Sequence, residues 1–234
     1  MLGTYSNLEE VIKAYDDMLK TLDNKAKNSI GDRAYGGVLR ASKGELVESI
    51  ARSIVTVAWN RLGGDAHHLN LDGHQIKVPF NLDNLKNIRD EDVRERIRSN
   101  IHAYRYSFKP DVLVEIRGQR VLSIECKAYT ENAMYKRILV DATLLKKIYP
   151  QMKFVLLQLE SQLGGDYSSL PQKAIGSTST RTITSYFDVD VDIVTLLEGE
   201  RDINRAIHKI YKPLTLSSLE NATKKISDIL GVYV

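Results

Sequence analysis

Residues 107–129, which read SFKPDVLVEIRGQRVLSIECKAY, determine how the rest of the chain is interpreted. Two stretches rich in Val, Leu and Ile, 107–116 and 120–129, flank the tripeptide Arg117-Gly118-Gln119. A short connection with a central glycine is typical of a β-hairpin. Apolar residues occupy both faces of the two predicted strands, as in strands that lie inside a sheet. The stretch therefore predicts a hairpin within a larger sheet.

The predicted hairpin brings acidic residues together. If it is symmetric about Gly118, Asp111 lies opposite Glu125, and directly opposed residues have Cβ atoms about 4.5–5.5 Å apart. Two carboxylates at this distance repel each other unless a cation lies between them, and Mg²⁺ is commonly held by one or two carboxylates. Lys127 lies two residues beyond Glu125, so both side chains share one face of the strand. The pattern predicts a divalent metal site beside a lysine, an arrangement suited to phosphodiester hydrolysis.

The residues around the hairpin predict an alternation of helices and strands. Thr130 is a candidate N-cap for a helix that Pro150 ends, and residues 153–159 form a strand apolar on both faces. Because a helix connects this strand to the hairpin, the two should pair in parallel. The other predicted elements are helices over 8–22, 43–61, 199–211 and 216–230, a strand over 190–197, a turn-like stretch over 28–37, and a loop over 63–83 with at most one short strand.

Composition excludes several classes of protein. The 234 residues are 43% hydrophobic and 27% charged, which is typical of a soluble globular chain. The first ten residues are polar and acidic, unlike a signal peptide, and no apolar run approaches the roughly 18 residues of a membrane span, so we expect a cytoplasmic protein without membrane contact. The single cysteine, Cys126, excludes an intramolecular disulfide and cysteine-rich metal sites. No GxxxxGK[ST] motif occurs, so we expect no nucleotide cofactor.

Pro110-Asp111 followed by Glu125-Cys126-Lys127 resembles the PD-(D/E)xK motif of nucleases, as found in type II restriction endonucleases. The resemblance covers residues 107–160, including the helix and strand after the motif. It implies a sequence-specific endonuclease that uses Mg²⁺, with Mn²⁺ as a substitute, cuts double-stranded DNA and leaves 5′-phosphate and 3′-hydroxyl ends. By the same resemblance, Asp111, Glu125 and the backbone carbonyl of Cys126 bind the metal, and Lys127 positions or activates the attacking water.

The family commonly adds an acidic residue from an upstream helix, for which Glu45 and Glu48 are the candidates. Glu48 borders the apolar stripe of the predicted helix 43–61, whereas Glu45 should face solvent. We therefore predict that Glu48 orients Lys127 or a second metal.

The fold class expected for the chain is α/β, with a central mixed β-sheet flanked by helices, a restriction-endonuclease-like core, and helical N- and C-terminal segments. A single domain over residues 1–234 is expected. It would comprise a mainly helical part over 1–100 that carries Glu48, the catalytic core over 104–197, and C-terminal helices over 199–231.

Double-stranded DNA is the expected partner, and a palindromic target would favour a homodimer. Residues 161–185 are rich in Ser and Thr and long for a plain connection. Residues 86–109 hold seven Lys or Arg against four Asp or Glu, although a solvated helix with internal ion pairs is the simpler explanation of this excess. The candidate DNA-binding residues lie in the Ser/Thr-rich stretch and in the helix after the motif: Lys136, Arg137, Lys173, Ser177, Thr178 and Arg181.

Other interpretations stay open. The acidic and basic residues of the hairpin can also form surface ion pairs with no function. His67, His68 and His74 could indicate a metal site, but loop histidines are the simpler explanation. The alternatives to a restriction enzyme are a structure-specific repair or junction-resolving nuclease, a non-catalytic DNA-binding module, and a protein that only binds partners.

Overall fold

A computed structural model describes residues 3–28, 32–71, 75–165, 177–202 and 211–234. The hairpin lies in it as predicted. Strands β4 (Val112–Ile116) and β5 (Gln119–Glu131) are antiparallel, and Val112 pairs with Ile124 in the register symmetric about Gly118. A register shift after Val114 leaves a loop of two residues instead of the predicted three. Arg117 (φ 51°) and Gly118 (φ 78°) both have positive φ, as a two-residue hairpin turn requires.

The hairpin belongs to a five-stranded sheet with the order β1-β4-β5-β6-β7. Strand β1 (Leu69–Asn70) is antiparallel to β4, whereas β6 (Lys153–Gln162) and β7 (Asp192–Thr195) continue the sheet in parallel with β5. The predicted parallel pairing of β5 and β6 is confirmed. The sheet is mixed and flanked by helices, which confirms the predicted fold class.

Helices cover both faces of the sheet. The helices are α1 (Leu8–Asn28), α2 (Asp32–Arg61), α3 (Glu91–Ser99), α4 (Asn132–Ile148), α5 (Thr178–Thr184) and α6 (Leu216–Leu230). Helices α1, α2 and α6 share one apolar core with the sheet, which includes Val47, Val112, Ile124 and Leu219. Helix α4 builds a second core on the opposite face around Leu113, Leu139 and Leu156. Because both faces are covered, most side chains of β5 and β6 are buried.

The predicted strand over 107–116 is wrong in its extent. It is interrupted at Lys109-Pro110-Asp111, and the chain before the interruption forms β3 (Arg105–Phe108). Strand β3 pairs with β2 (Ile76–Pro79) in a separate two-stranded sheet. Pro110 has no N–H to donate to a ladder, which favours a break in the strand at this position.

Several other predicted boundaries are also wrong. The chain is already helical from Asp32, within the stretch predicted as a turn, because extending a nucleated helix costs little. Strand β5 continues through Thr130 to Glu131, so Thr130 is buried in the sheet and caps no helix. Residues 178–184 of the predicted loop form α5, whose N-cap is Ser177. Of the predicted helix 199–211, residues 199–202 and Tyr211 are not helical, and 203–210 lie outside the described residues.

In the parts of the chain that the structure covers, no helix is both long enough and apolar enough to cross a membrane.

Candidate active site

The open end of the hairpin gathers the predicted site residues. Asp111 lies immediately before β4, and its Oδ2 accepts hydrogen bonds from the backbone N–H of Cys126 at 2.7 Å and from Nζ of Lys127 at 2.9 Å. Lys127 Nζ also donates to Glu125 Oε1 at 2.5 Å and to the carbonyl oxygen of Cys126 at 3.1 Å. The Asp111, Glu125 and Lys127 side chains are each about a quarter exposed. They therefore lie at the edge of the core and not on an open surface.

The same contacts test whether the site suits a metal ion. Oxygens of Asp111, Glu125 and Cys126 converge on one positively charged group, the Lys127 ammonium. Carboxylate and carbonyl oxygens are the ligands that Mg²⁺ prefers, so a divalent cation fits where the ammonium lies. Among the described residues, no group of three or more His, Cys, Asp or Glu side chains is placed to hold a metal. The groups that would hold a metal here are the two carboxylates together with the backbone carbonyl oxygen of Cys126.

The electrostatics of the site reflect crowded negative charge. Burial and the neighbouring Asp111 carboxylate raise the pKa of Glu125, although Lys127 opposes them. Burial alone would lower the pKa of Lys127, but the charges of Glu125 and Asp111 outweigh it and raise that pKa. Lys127 is thus an ammonium at neutral pH. Burial also raises the pKa of the Cys126 thiol, which leaves the backbone as the part of this residue suited to the site.

Of the two upstream carboxylates, Glu48 is the one that approaches the site. Its side chain is half-buried on α2, and burial together with the charge of Asp111 raises its pKa. Glu45 is exposed. The position of Glu48 on the buried side of α2 agrees with its place beside the apolar stripe.

A cleft of about 390 Å³ opens beside these residues. Its walls come from β3, from the open end of the hairpin and from α4. The residues with charged or polar side chains that line it are Tyr106, Ser107, Lys109, Asp111, Glu125, Lys127, Arg137 and Asp141.

Sequence reasoning missed Asp141 and Lys109 as lining residues of this cleft. Burial raises the pKa of Asp141, while the charges of Arg137 and Lys127 and a hydrogen bond from Tyr106 oppose that shift. A signal for Asp141 exists in the sequence, since it lies three residues after Ile138 at a position that continues the buried face of α4. An acidic residue in an apolar stripe is unusual enough to indicate a site.

The candidate DNA-binding residues are distributed unevenly. Arg137 lines the cleft, whereas Lys136 is exposed on α4 and does not. Ser177 Oγ accepts from the backbone N–H of Thr180 at 3.1 Å, which gives this side chain a structural role as the N-cap of α5. Thr178 and Arg181 are exposed on α5, and Lys173 lies outside the described residues.

The loop histidines do not form a metal site in the described structure. His67 and His68 belong to a short 3-10 turn that Asp65 caps, and both are exposed. His74 lies outside the described residues.

Comparison with known proteins identifies the family. A scan of protein-family models gives no match. The chain is, however, 44% identical over 235 residues to the type II restriction enzyme DdeI of Desulfomicrobium norvegicum (strain DSM 1741 / NCIMB 8310), with 98% of each chain covered. The chain belongs to the type II restriction enzymes. It is therefore a site-specific endodeoxyribonuclease, and enzymes of this family generally use divalent metal ions.

Solved restriction enzymes give weaker similarity. The Bse634I restriction endonuclease is 11% identical, with 97% of this chain and 88% of that chain covered, at a TM-score of 0.42. The native BbvCI A2B2 tetramer is 10% identical, with 97% and 90% covered, at a TM-score of 0.37. Both TM-scores are below 0.5, so the family assignment rests on the sequence relative.

Proposed function

We propose that this restriction enzyme is Mg²⁺-dependent, accepts Mn²⁺ as a substitute, and cuts double-stranded DNA to leave 5′-phosphate and 3′-hydroxyl ends. The observation that carries the proposal is the convergence of Asp111, Glu125 and the Cys126 carbonyl on the Lys127 ammonium. Structural ion pairs need one carboxylate for each lysine. Here two carboxylates share one, which leaves a net negative site that suits a divalent cation.

In the proposed mechanism, Asp111, Glu125 and the Cys126 carbonyl would hold the metal. A divalent ion held by them would supply Lewis acidity, which would make a water more acidic and offset negative charge on the scissile phosphate. The Lys127 ammonium donates hydrogen bonds to the attacking water and to a phosphate oxygen, which orients the nucleophile and stabilises the charge that develops. Attack of the water at phosphorus forms a new P–O bond and breaks the bond to O3′. The water gives up a proton to solvent, O3′ takes one up from solvent, and the phosphate stays on the 5′ end.

Glu48 has a supporting role in this proposal. Its carboxylate adds negative charge near Asp111 and Lys127, which favours the ammonium form of Lys127 and the binding of cations. Arg137, which also lines the cleft, supplies positive charge for the DNA backbone.

The proposed assembly is a homodimer on a palindromic site, because two-fold symmetry of the protein then matches that of the DNA. We place the enzyme in the cytoplasm, where it meets its DNA substrate.

The test is incubation of the purified chain with several long duplex DNAs, with Mg²⁺, with Mn²⁺ and without divalent ions. Discrete fragments that require a divalent ion and carry 5′-phosphates are expected. Asp111→Ala and Lys127→Ala should abolish them, whereas Glu45→Ala, one turn before Glu48 on the exposed side of α2, should not. Cutting restricted to branched or damaged DNA would indicate a structure-specific nuclease. Salt-sensitive DNA binding without cleavage would indicate a binding module, and undiminished cleavage by both site variants would overturn the site.

A further inference from the structure

The small sheet formed by β2 and β3 has one face that is entirely exposed. The register pairs Lys77 with Ser107 and Pro79 with Arg105, and all four residues are exposed. The alternate residues, Ile76 and Phe108 among them, face the apolar core around α4. The sheet is thus anchored by one face and presents the other to solvent.

The exposed face carries positive charge only. Lys77 and Arg105 lie on it, and Lys109 follows directly after β3. None of these three cations forms a salt bridge with a carboxylate in the described parts of the chain. Arg105 Nε donates to the carbonyl oxygen of His102 at 2.9 Å, which uses one of its five guanidinium N–H donors and restrains the side chain.

Helix α3, in the connection between β2 and β3, differs from this face in its charge pairing. Arg94 pairs with Glu91 at 2.9 Å, and Arg98 pairs with Glu95 at 2.5 Å. Two of the seven cations of residues 86–109 are therefore already paired with carboxylates on this helix.

The exposed face leads into the candidate active site. Ser107 and Lys109 both line the cleft that contains Asp111 and Lys127. Alternate residues of a strand are about 6.6–6.8 Å apart, which is close to the separation of successive phosphates along one DNA strand. Arg105 and Ser107 thus lie about one phosphate spacing apart on β3, and Lys109, just after the strand, adds a second cation at the cleft.

We propose that this exposed face of β2 and β3 binds the phosphates next to the scissile phosphate, with Lys77 and Arg105 as backbone-contacting residues that read no bases. The inference rests on the proposed nuclease function. In this arrangement, positive charges on a sheet anchored to the α4 core determine how the DNA strand is positioned in the cleft.

The test measures DNA binding in an Asp111→Asn background, which prevents cleavage, with a duplex that the wild-type enzyme cuts and one that it does not. Lys77→Ala and Arg105→Ala should each weaken binding about three- to fivefold, by the same factor for both duplexes. Each should also reduce the slope of log affinity against log salt by about 0.9. Arg96→Ala, which removes an exposed cation of α3, is the matched control and should leave the slope unchanged.

A second arm locates the contact on the DNA. Replacing a phosphate beside the cut by an uncharged methylphosphonate should weaken binding of the background enzyme, with no additional loss for the Lys77→Ala/Arg105→Ala double variant.

Three results would overturn the inference while leaving the nuclease function intact: unchanged salt slopes, an equal change for Arg96→Ala, or additive losses with methylphosphonate DNA. A different loss for the two duplexes would indicate base contacts and would also overturn it. If the wild-type chain neither cuts nor binds DNA, the nuclease function is wrong and this inference fails with it.

Discussion

The two ends of the β4–β5 hairpin both carry charged residues, but their charges are balanced differently. At the turn end, Arg120 Nε contacts Glu115 Oε1 at 3.0 Å, and Asn70 Nδ2 donates to Glu115 Oε2 at 3.1 Å. Arg120 also donates to the hydroxyl of Tyr149 and lies 5.2 Å from the centre of its ring. One anion thus meets one cation, and neutral groups complete their contacts.

At the open end, negative charge is in excess. Asp111 and Glu125 share Lys127, and the carboxylates of Glu48 and Asp141 add to the field. The pKa of Glu125 is raised mainly by burial and by Asp111. The same pair of strands therefore builds a stabilising ion pair at one end and, at the other, a site that lacks positive charge. Such an imbalance is costly in folding and useful for binding a cation.

The largest expected difference between the two ends is in catalysis. Asp111→Ala should reduce the rate of DNA cleavage at least about 10³-fold, because it removes a proposed metal ligand and one hydrogen-bond partner of Lys127. Glu115→Ala, on β4 four residues after Asp111, should cleave within about threefold of the wild-type rate at a temperature where it is folded. Fragment formation under single-turnover conditions measures both rates. Comparable losses of cleavage rate in the two variants would contradict the proposal that only the open end of the hairpin is catalytic.

For stability, in contrast to catalysis, a substitution at the turn end should have the clear effect. Arg120→Ala should lower the free energy of unfolding by about 1–3 kcal/mol, because it leaves the mostly buried Glu115 carboxylate without its cation. Urea unfolding in the absence of divalent ions measures the change. A variant as stable as the wild-type protein, but defective in cleavage, would contradict the structural role of this pair.

Mg²⁺ should stabilise the folded protein through the residues at the open end of the hairpin only. A free Mg²⁺ concentration ten times its dissociation constant should add about 1.4 kcal/mol to the free energy of unfolding. The gain should persist in Arg120→Ala and disappear in Asp111→Ala. Thermal unfolding with and without Mg²⁺ tests this, and an equal gain in Asp111→Ala would place the metal elsewhere.

The smallest expected effect concerns Glu48 and depends on pH. Because the pKa of Glu48 is raised in the folded state, the folded protein binds its proton more tightly than the unfolded chain. The ionised Glu48 carboxylate therefore lowers the free energy of unfolding. This loss of stability is fully present above the raised pKa and disappears as the pH falls towards the ordinary glutamate range.

Without divalent ions, Glu48→Gln should therefore raise Tm by about 1–3 °C at pH 8 and by less at pH 5. Differential scanning calorimetry at the two pH values measures the shift, with the exposed Glu45→Gln as the control. An increase in Tm that is larger at pH 5 than at pH 8 would contradict the raised pKa of Glu48.

Much of the hairpin could be predicted from its residues. The symmetric register placed Asp111 opposite Glu125, and Val112 to Val114 keep that register in the structure. The period-2 alternation put Glu125 and Lys127 on one face, and they are in contact. The apolar stripe of α2 also distinguished Glu48 from Glu45. These predictions succeeded because they depend on local geometry that strands and helices repeat along the chain.

Other features depend on contacts between distant parts of the chain. The break at Pro110 sends β3 to pair with β2, about thirty residues earlier in the sequence. The Ser/Thr-rich stretch includes the short helix α5, where Thr180 Oγ1 lies within hydrogen-bond distance of Asn132 Oδ1 at 2.7 Å and of the Leu163 carbonyl oxygen at 2.8 Å. Local propensity cannot anticipate either arrangement, since tertiary partners stabilise both.

The sequence by itself determined the β4–β5 hairpin, the α/β class and the grouping of two acidic residues with a lysine, because periodicity and turn chemistry act over a few residues. Only the tertiary structure decided that Asp141 and Lys109 line the same cleft, and that a basic face of β2 and β3 leads into it. Those groups come from a helix and from the chain after a second small sheet. Their proximity depends on how whole helices and strands pack together. Burial of the two apolar cores determines that packing, and a short stretch of sequence does not encode it.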